Sequence, residues 1–361
     1  MIKLDLIVGA RPNFIKIAPI IHAIKMKKDK PISFRLIHTG QHYDHNMSNS
    51  FFKQLSIPNP DLNIGAGSGT QAEQTTKIMI GYENILKKKL ADICLVVGDV
   101  NSTMAFAIVA KKMGLKVAHV EAGIRSFDLD MPEEINRMVT DSITDYFFTT
   151  SEYANENLKK IGVNSNNIFF VGNTMIDTLI KQKSNFSKPY FWNEFKLKSK
   201  EYLTLTLHRP SNVDDKANFF KILSIIVDNS NNYPIIFPVH PRTKKHIAKF
   251  KSEYKNFFTV LPLPYLEFNY LVKNSKAVIT DSGGITEETT VLNVPCMTLR
   301  DNTERPETIY IGTNELIGTD IEKIKPSMER LFNGNWKSGR VPPKWDGNAA
   351  KRIIDSLIKI F

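Results

Sequence analysis

Carboxylates, a histidine and a glycine pair stand at the ends of apolar runs in this chain, where side chains can meet a ligand. The segment Thr280-Asp281-Ser282-Gly283-Gly284-Ile285-Thr286-Glu287-Glu288 follows the apolar run 276–279 and leads into a helix start near Glu287. A strand, a Gly-Gly turn and a helix N-terminus together make an anion cradle. With no Cβ at Gly283 and Gly284 a phosphate can approach the backbone N–H groups, the helix dipole favours its charge, and Ser282 adds a hydroxyl donor. Glu288 follows about one helical turn later and suits a ribose diol, because a carboxylate accepts two hydrogen bonds. A Gly-Gly pair alone reads as a tight turn, so its meaning rests on the other residues.

Asp99 follows Leu95-Val96-Val97-Gly98, and Glu121 follows Val117-Ala118-His119-Val120. Both carboxylates are therefore expected at strand ends, in one crevice. Glu133 and Glu134 lie in Met131-Pro132-Glu133-Glu134-Ile135-Asn136-Arg137, where Pro132 suits a first helical turn and the acids complement the helix dipole. Thr206-Leu207-His208-Arg209-Pro210 brings a histidine to another strand end. Carboxylates and a histidine facing a phosphate cradle suit proton removal and return on a phosphorylated substrate.

The elements that must position these groups alternate along the chain. Strands are predicted at 4–8, 34–38, 93–97 and 117–120, with helices at 13–27, 71–88 and 103–113 between them. A second alternating block has strands at 168–171, 202–207, 235–239, 258–261 and 277–280. Such alternation implies parallel sheets with helices on both faces, and ligands in such sheets bind beyond the carboxyl ends of the strands. The expected fold is α/β, two doubly wound Rossmann-like domains with the active site in the cleft between them. Residues 1–175 form the first domain, with the carboxylates, and 176–345 the second, with the phosphate cradle. The Lys-, Ser- and aromatic-rich stretch 182–199 contains the linker, and 346–361 is an amphipathic helix that packs back on the first domain.

Composition narrows the function classes. The chain has 361 residues, 42% hydrophobic and 24% charged, as in an ordinary globular protein of about two domains. A net charge of +11 suits anionic ligands, but the lysines are scattered and no basic stripe with interleaved aromatics points to nucleic acid. The two cysteines, Cys94 and Cys296, sit in apolar runs and can form neither a disulfide framework nor a Cys-based zinc site. No apolar run is long enough to span a membrane, and the N-terminus reads as a strand, so a cytoplasmic protein is expected. Gly9-Ala10-Arg11-Pro12 is not a dinucleotide fingerprint.

Taken in order, these motifs resemble the non-hydrolysing UDP-N-acetylglucosamine 2-epimerases from Gly9 to about Arg352. The resemblance is carried by Arg11-Pro12, Thr39-Gly40-Gln41-His42, Gly98-Asp99 and His119-Val120-Glu121-Ala122-Gly123. It continues through Pro132 to Arg137, His208-Arg209, Asp281-Ser282-Gly283-Gly284 with Glu287-Glu288, and Arg300-Asp301 with Thr303 to Glu307. It implies a glycosyltransferase-B-type fold, a homodimer, and no metal or nicotinamide cofactor. The implied reaction supplies sugars for surface polysaccharide: UDP leaves C1 as the C2 proton is removed, giving 2-acetamidoglucal, and both then return with the proton on the other face of C2. By position Asp99, Glu121 and Glu133 match the family's acid/base groups and His208 its histidine near the phosphates and sugar. Arg11, Lys16 and Arg305 match substrate contacts, Ser282, Gly283 and Gly284 the pyrophosphate contacts, Glu288 the ribose contact, and Phe268 an aromatic beside the uracil.

The sequence departs from that pattern at Asn13, where a glutamate often follows Arg-Pro, and at Leu263, where some members have a polar residue. In members activated by their own substrate, polar residues follow Gly-Gln-His and an Arg-Gln pair precedes the third helix. Here those regions read Tyr43-Asp44-His45-Asn46 and Gly67-Ser68-Gly69-Thr70-Gln71. The residues leave open four other readings: an epimerase of a UDP-2,3-diacetamido sugar, a hydrolysing 2-epimerase, a UDP-sugar glycosyltransferase, and a non-catalytic UDP-sugar-binding module.

Overall fold

The computed structural model describes residues 1–9, 11–27, 32–40, 52, 54–239, 247, 250 and 253–361. It has two compact units, unit 1 of residues 1–181 with 343–361 and unit 2 of residues 182–342.

Unit 1 begins with β1 (Ile2–Val8), α1 (Arg11–Met26), β2 (Ile32–His38), β3 (Leu62–Asn63), α2 (Gln71–Lys88) and β4 (Ile93–Val97). It continues through α3 (Asn101–Lys112), β5 (Lys116–Val120), α4 (Pro132–Ile143), β6 (Tyr146–Thr149), α5 (Glu152–Lys160), β7 (Ile168–Phe170) and α6 (Thr174–Gln182). The seven strands lie in the order β3-β2-β1-β4-β5-β6-β7, every pair parallel. The chain order reverses between β1 and β4, and such a switch point opens a crevice at the strand ends. All five residues of β4 are buried, as a strand covered on both faces requires. Ile7, Cys94 and Val96 pack with Tyr82 and Phe106 in the core, each large apolar side chain contributing about 1.5–3 kcal/mol on burial. Helix α2 begins where local chemistry satisfies its free N–H groups. At α2, Glu73 N donates to Thr70 Oγ1 at 3.2 Å while Glu73 Oε2 accepts from Thr70 N at 2.9 Å, a reciprocal cap.

Unit 2 contains β8 (Leu203–Thr206), α7 (Pro210–Val213), α8 (Lys216–Asp228), β9 (Ile235–Pro238), β10 (Phe257–Val260), α9 (Tyr265–Asn274) and β11 (Ala277–Thr280). It ends with α10 (Gly283–Leu292), β12 (Cys296–Thr298), α11 (Pro306–Tyr310), β13 (Asn314–Leu316) and α12 (Ile324–Phe332). Its six strands run β10-β9-β8-β11-β12-β13, all parallel, so the switch point lies between β8 and β11. Leu203, Leu205, Phe237 and Ile279 pack against Ile222, Leu223 and Met328 in its core.

The chain returns to unit 1 as α13 (Ala349–Ile360). Asp177 on α6 caps this helix, accepting from Ala349 N at 3.1 Å and Ala350 N at 2.7 Å. The division expected at residue 175 falls inside α6, and the units part after Lys181 because Met175, Ile176 and Leu179 are buried. Within the stretch read as linker, Phe191, Trp192 and Leu197 are buried beside Tyr202 in unit 2. Aromatic side chains of that size bury wherever a core is in reach. Among the described residues, no helix is long and apolar enough to cross a membrane.

Candidate active site

In unit 1, Gly98 ends β4 with φ +72°, a left-handed conformation that glycine adopts without the Cβ penalty. A Cβ there would lie 3.3 Å from Lys16 Nζ and 3.8 Å from Glu121 Oε2. The Asp99 turn, α1 and the end of β5 therefore converge at the β1/β4 switch point. Lys16 Nζ donates to Glu121 Oε2 at 2.7 Å, and both side chains are largely buried. Glu121 sits at φ +70°, where a non-glycine residue costs about 1–3 kcal/mol. Glu121 N and Ala122 N hold it there by both donating to Phe148 O, at 2.9 and 3.2 Å. Asn13, where a glutamate is common in the resembled family, donates from Nδ2 to Val97 O at 2.9 Å.

Helix α4 holds the loops from the other side. Arg137 donates to Asp99 Oδ2 from Nε at 3.1 Å and from Nη2 at 2.5 Å, and from Nη1 to Glu134 Oε2 at 2.8 Å. Glu134 in turn accepts from Ser126 N, Ser126 Oγ and Phe127 N. Asn136 Nδ2 donates to the Asp99 carbonyl at 2.9 Å. Glu133 is half-buried in the first turn of the same helix. Each of Asp99 and Glu121 thus has a cation against it, Arg137 and Lys16 respectively. Arg11 begins α1, but its side chain lies outside the described residues, as do Gln41, His42 and residues 43–46.

In unit 2, His208 and Asp281 leave the ends of the adjoining strands β8 and β11. Asp281 is fully buried, and its Oδ2 accepts from His208 N and Arg209 N, each at 2.9 Å, and from Asn212 Nδ2 at 3.1 Å. Its Oδ1 lies 2.7 Å from His208 Nδ1. Burial works against the charge, but the His208 ring and the backbone donors outweigh it and hold Asp281 below the ordinary carboxylate range. The imidazole, 64% exposed, is therefore steered through one ring nitrogen and presents the other outward.

The glycine pair does not form a turn ahead of the helix, as expected from sequence, but is its first turn. Ser282 occupies the N-cap at φ −94°, ψ 124°, and α10 starts at Gly283. Space, not backbone conformation, demands glycine at 283: an added Cβ would lie 2.5 Å from Glu304 Oε1 and 3.7 Å from Arg300 Nη1. Arg300 and Glu304 pair at 2.8 Å. The ordered N–H groups of that turn, with Ser282 at their head, remain suited to a phosphate. Glu288 lies deeper on α10, 5% exposed, with Asn269 Nδ2 at 3.4 Å and Tyr265 alongside. Burial pushes its carboxyl up to about 7, offset in part by Asn269 and Tyr265. Arg305 Nε lies 2.5 Å from Glu287 Oε1 with both groups buried, and Phe268 is half-buried between two apolar clusters.

The profile of the UDP-N-acetylglucosamine 2-epimerase family matches residues 24–358. The chain is 43% identical to the UDP-N-acetylglucosamine 2-epimerase of Methanocaldococcus jannaschii, with 98% of each chain aligned. The chain belongs to the UDP-N-acetylglucosamine 2-epimerase family. A crystal structure of the M. jannaschii epimerase, in complex with UDP-GlcNAc and UDP, superposes with a TM-score of 0.87 at 43% identity, covering 99% of this chain and all of that one. The UDP-2,3-diacetamido-2,3-dideoxy-D-glucuronate 2-epimerase of Pseudomonas aeruginosa is 35% identical, over 99% of this chain and 100% of its own. The 2-epimerase fold, an α/β fold with two parallel sheets, is thus shared along the whole length.

The sequence offers Glu134 only as a complement to the helix dipole, and Asn136, Arg137 and Asp281 only as members of the resembled motifs. On α4 the spacing carries a signal: Glu134, Arg137 and Asp141 repeat at three and four residues, one face of a helix, with Ile135 and Met138 to one side of it.

Proposed function

We propose that the protein interconverts UDP-N-acetylglucosamine and UDP-N-acetylmannosamine by eliminating and re-adding UDP at C1 with exchange of the C2 proton. The observation that carries this reading is the convergence of Asp99, Glu121 and Lys16 at the β1/β4 switch point of a 2-epimerase-family chain. Inversion at C2 needs two proton-transfer groups on different sides of one carbon, and Asp99, Glu121 and Glu133 provide them. Lys16, Arg11 and Arg305 supply positive charge for the departing diphosphate. In unit 2 the first turn of α10 with Ser282, Gly283 and Gly284 receives the pyrophosphate, Glu288 the ribose and Phe268 the base. His208, oriented by Asp281, adds a donor beside the phosphates. We further propose a homodimer, supported by the exposed Phe127, Leu129, Ile135 and Met138 around α4. A cytoplasmic setting that feeds surface polysaccharide completes the proposal, in keeping with two free, buried cysteines.

Incubation with UDP-N-acetylglucosamine in heavy water, followed by proton NMR, tests the chemistry. The mannosamine product must carry deuterium at C2, and small amounts of 2-acetamidoglucal and UDP accompany it. Product without C2 deuterium would sink the proton-exchange route, and accumulation of free N-acetylmannosamine with UDP would identify a hydrolysing enzyme. A UDP-2,3-diacetamido uronate, the substrate class named for the Pseudomonas relative, is assayed in parallel; turnover of that sugar alone would overturn the choice of substrate.

A further inference from the structure

Beneath Asp99 and Glu121 lies a histidine to which the proposed chemistry gives no part. His119, on β5, is fully buried. Its Nε2 is 2.8 Å from the Gly98 carbonyl oxygen and its Nδ1 is 2.7 Å from Asp141 Oδ1. A carbonyl oxygen only accepts, and an ionised carboxylate only accepts, so both ring nitrogens carry hydrogen. Asp141 stands as the carboxylate because Arg125 and Gly123 N both meet its Oδ2; burial opposes its charge, and His119 and Arg125 hold it below the ordinary carboxylate range. Arg125 Nη1 lies 2.7 Å from Asp141 Oδ2, and Gly123 N donates to the same oxygen at 3.0 Å.

This cluster adds a buried link among three segments that Arg137, Asn136 and Glu134 also join. His119 grips the turn that carries Asp99 through the Gly98 carbonyl. Asp141 grips the loop after Glu121 through Gly123 and Arg125. Both anchor on α4, whose Arg137 holds the Asp99 carboxylate and whose first turn carries Glu133. A ring with a single hydrogen, directed at Asp141, would set a nitrogen lone pair against the Gly98 carbonyl oxygen and remove one of the tethers on the Asp99 turn. We propose that His119 is a positioning residue: doubly protonated against Asp141, it fixes the Gly98 carbonyl and thereby sets where Asp99 stands relative to Glu121. The inference rests on the assignment of Asp99 and Glu121 to proton transfer.

Misplacing a reacting group by about 1 Å costs on the order of 10²-fold in rate, so His119→Gln is expected to lower kcat by about 10- to 100-fold. KM and the Kd for UDP should stay within about threefold, since the nucleotide contacts are untouched. Asp141→Asn, nearly isosteric, should give the same split. A merely structural role would lower Tm while leaving kcat per folded molecule at the wild-type value, and that result overturns the proposal. In the full-length wild-type protein with 15N-labelled histidine, the His119 ring must show a hydrogen on both nitrogens. One unprotonated nitrogen overturns the proposal whether or not either variant folds. Asp99→Asn is measured alongside: if it loses turnover and His119→Gln keeps it, the positioning inference fails and the proton-transfer reading stands. If Asp99→Asn keeps full turnover, that reading fails and takes the inference with it.

Discussion

Glu288→Gln removes a buried charge that the ligand-free protein has to accommodate. Burial pushes the carboxyl of Glu288 up to about 7 from its ordinary 4.5. Below pH 4.5 both folded and unfolded chains hold the proton and the group is neutral with respect to stability. As pH rises from 4.5 to 7 the unfolded chain releases the proton while the folded chain keeps it, so stability falls across that window and is level above it. The gap corresponds to about 3 kcal/mol when each pKa unit is worth about 1.4 kcal/mol. Gln cannot ionise, so the ligand-free variant should lose this pH dependence and exceed the wild type by about 2–3 kcal/mol at pH 8, while matching it near pH 4.5. Urea unfolding at pH 5 and pH 8, following the transition that added UDP shifts, reads this directly. The same variant should bind UDP more weakly, by about 1.5–3 kcal/mol for a charged hydrogen bond to the ribose, and the wild-type affinity should rise with pH through 7. A variant with the wild-type pH slope would refute the burial argument. Unchanged UDP affinity would refute the ribose contact.

Asp99→Asn, Glu121→Gln and Glu133→Gln keep side-chain size and remove the acid/base function; each should lower turnover by about 10²–10⁴-fold with nearly normal UDP binding by calorimetry. Wild-type turnover in any one of them removes that residue from the chemistry. Gly283→Ala sets a methyl group 2.5 Å from Glu304 Oε1, so the Arg300–Glu304 pair must shift or α10 must move, at about 1–3 kcal/mol for an overpacked site. Lower Tm and weaker UDP binding are expected, and a variant unchanged in both would show that the first turn of α10 has slack.

The two sheets were legible because their central strands are apolar runs of four or five residues, such as 93–97 and 277–280, bounded by Gly or polar residues. Strands β3, β6, β12 and β13 were not read. They have two to four residues and none is an uninterrupted run of four apolar residues; pairing with a neighbouring strand keeps them in place. Asp99, Glu121 and His208 could be picked out because each follows such a run directly. Their pairings could not: Lys16 lies 105 residues from Glu121 and Arg137 lies 38 from Asp99, separations that only the folded topology closes. The face of α4 was a harder case. Binary patterning assigns Ile135 and Met138 to the core and Glu134, Arg137 and Asp141 to solvent, yet the charged set is buried and the two apolar residues are 48% and 46% exposed. Burying charge is tolerated only where each ion is paired and hydrogen-bonded, and that is how Glu134, Arg137 and Asp141 stand.

Both units solve one mechanical problem in one way. A loop at a switch point carries a candidate site residue, and a short surface loop would ordinarily move. In unit 2 the loop is pinned by Asp281, which collects two backbone N–H donors and an amide on one oxygen. In unit 1 the loops are pinned from α4, by Asp141 on Gly123 and Arg125 and by Glu134 on Ser126 and Phe127. A carboxylate suits this task better than an apolar contact, because hydrogen bonds to it are directional and contribute about 1.5–3 kcal/mol each. Its burial also excludes the water that would compete for those donors. The buried acids next to the candidate carboxylates therefore do separate work from them, and an acidic residue in this chain is assigned a role by what donates to it, not by its place in a motif.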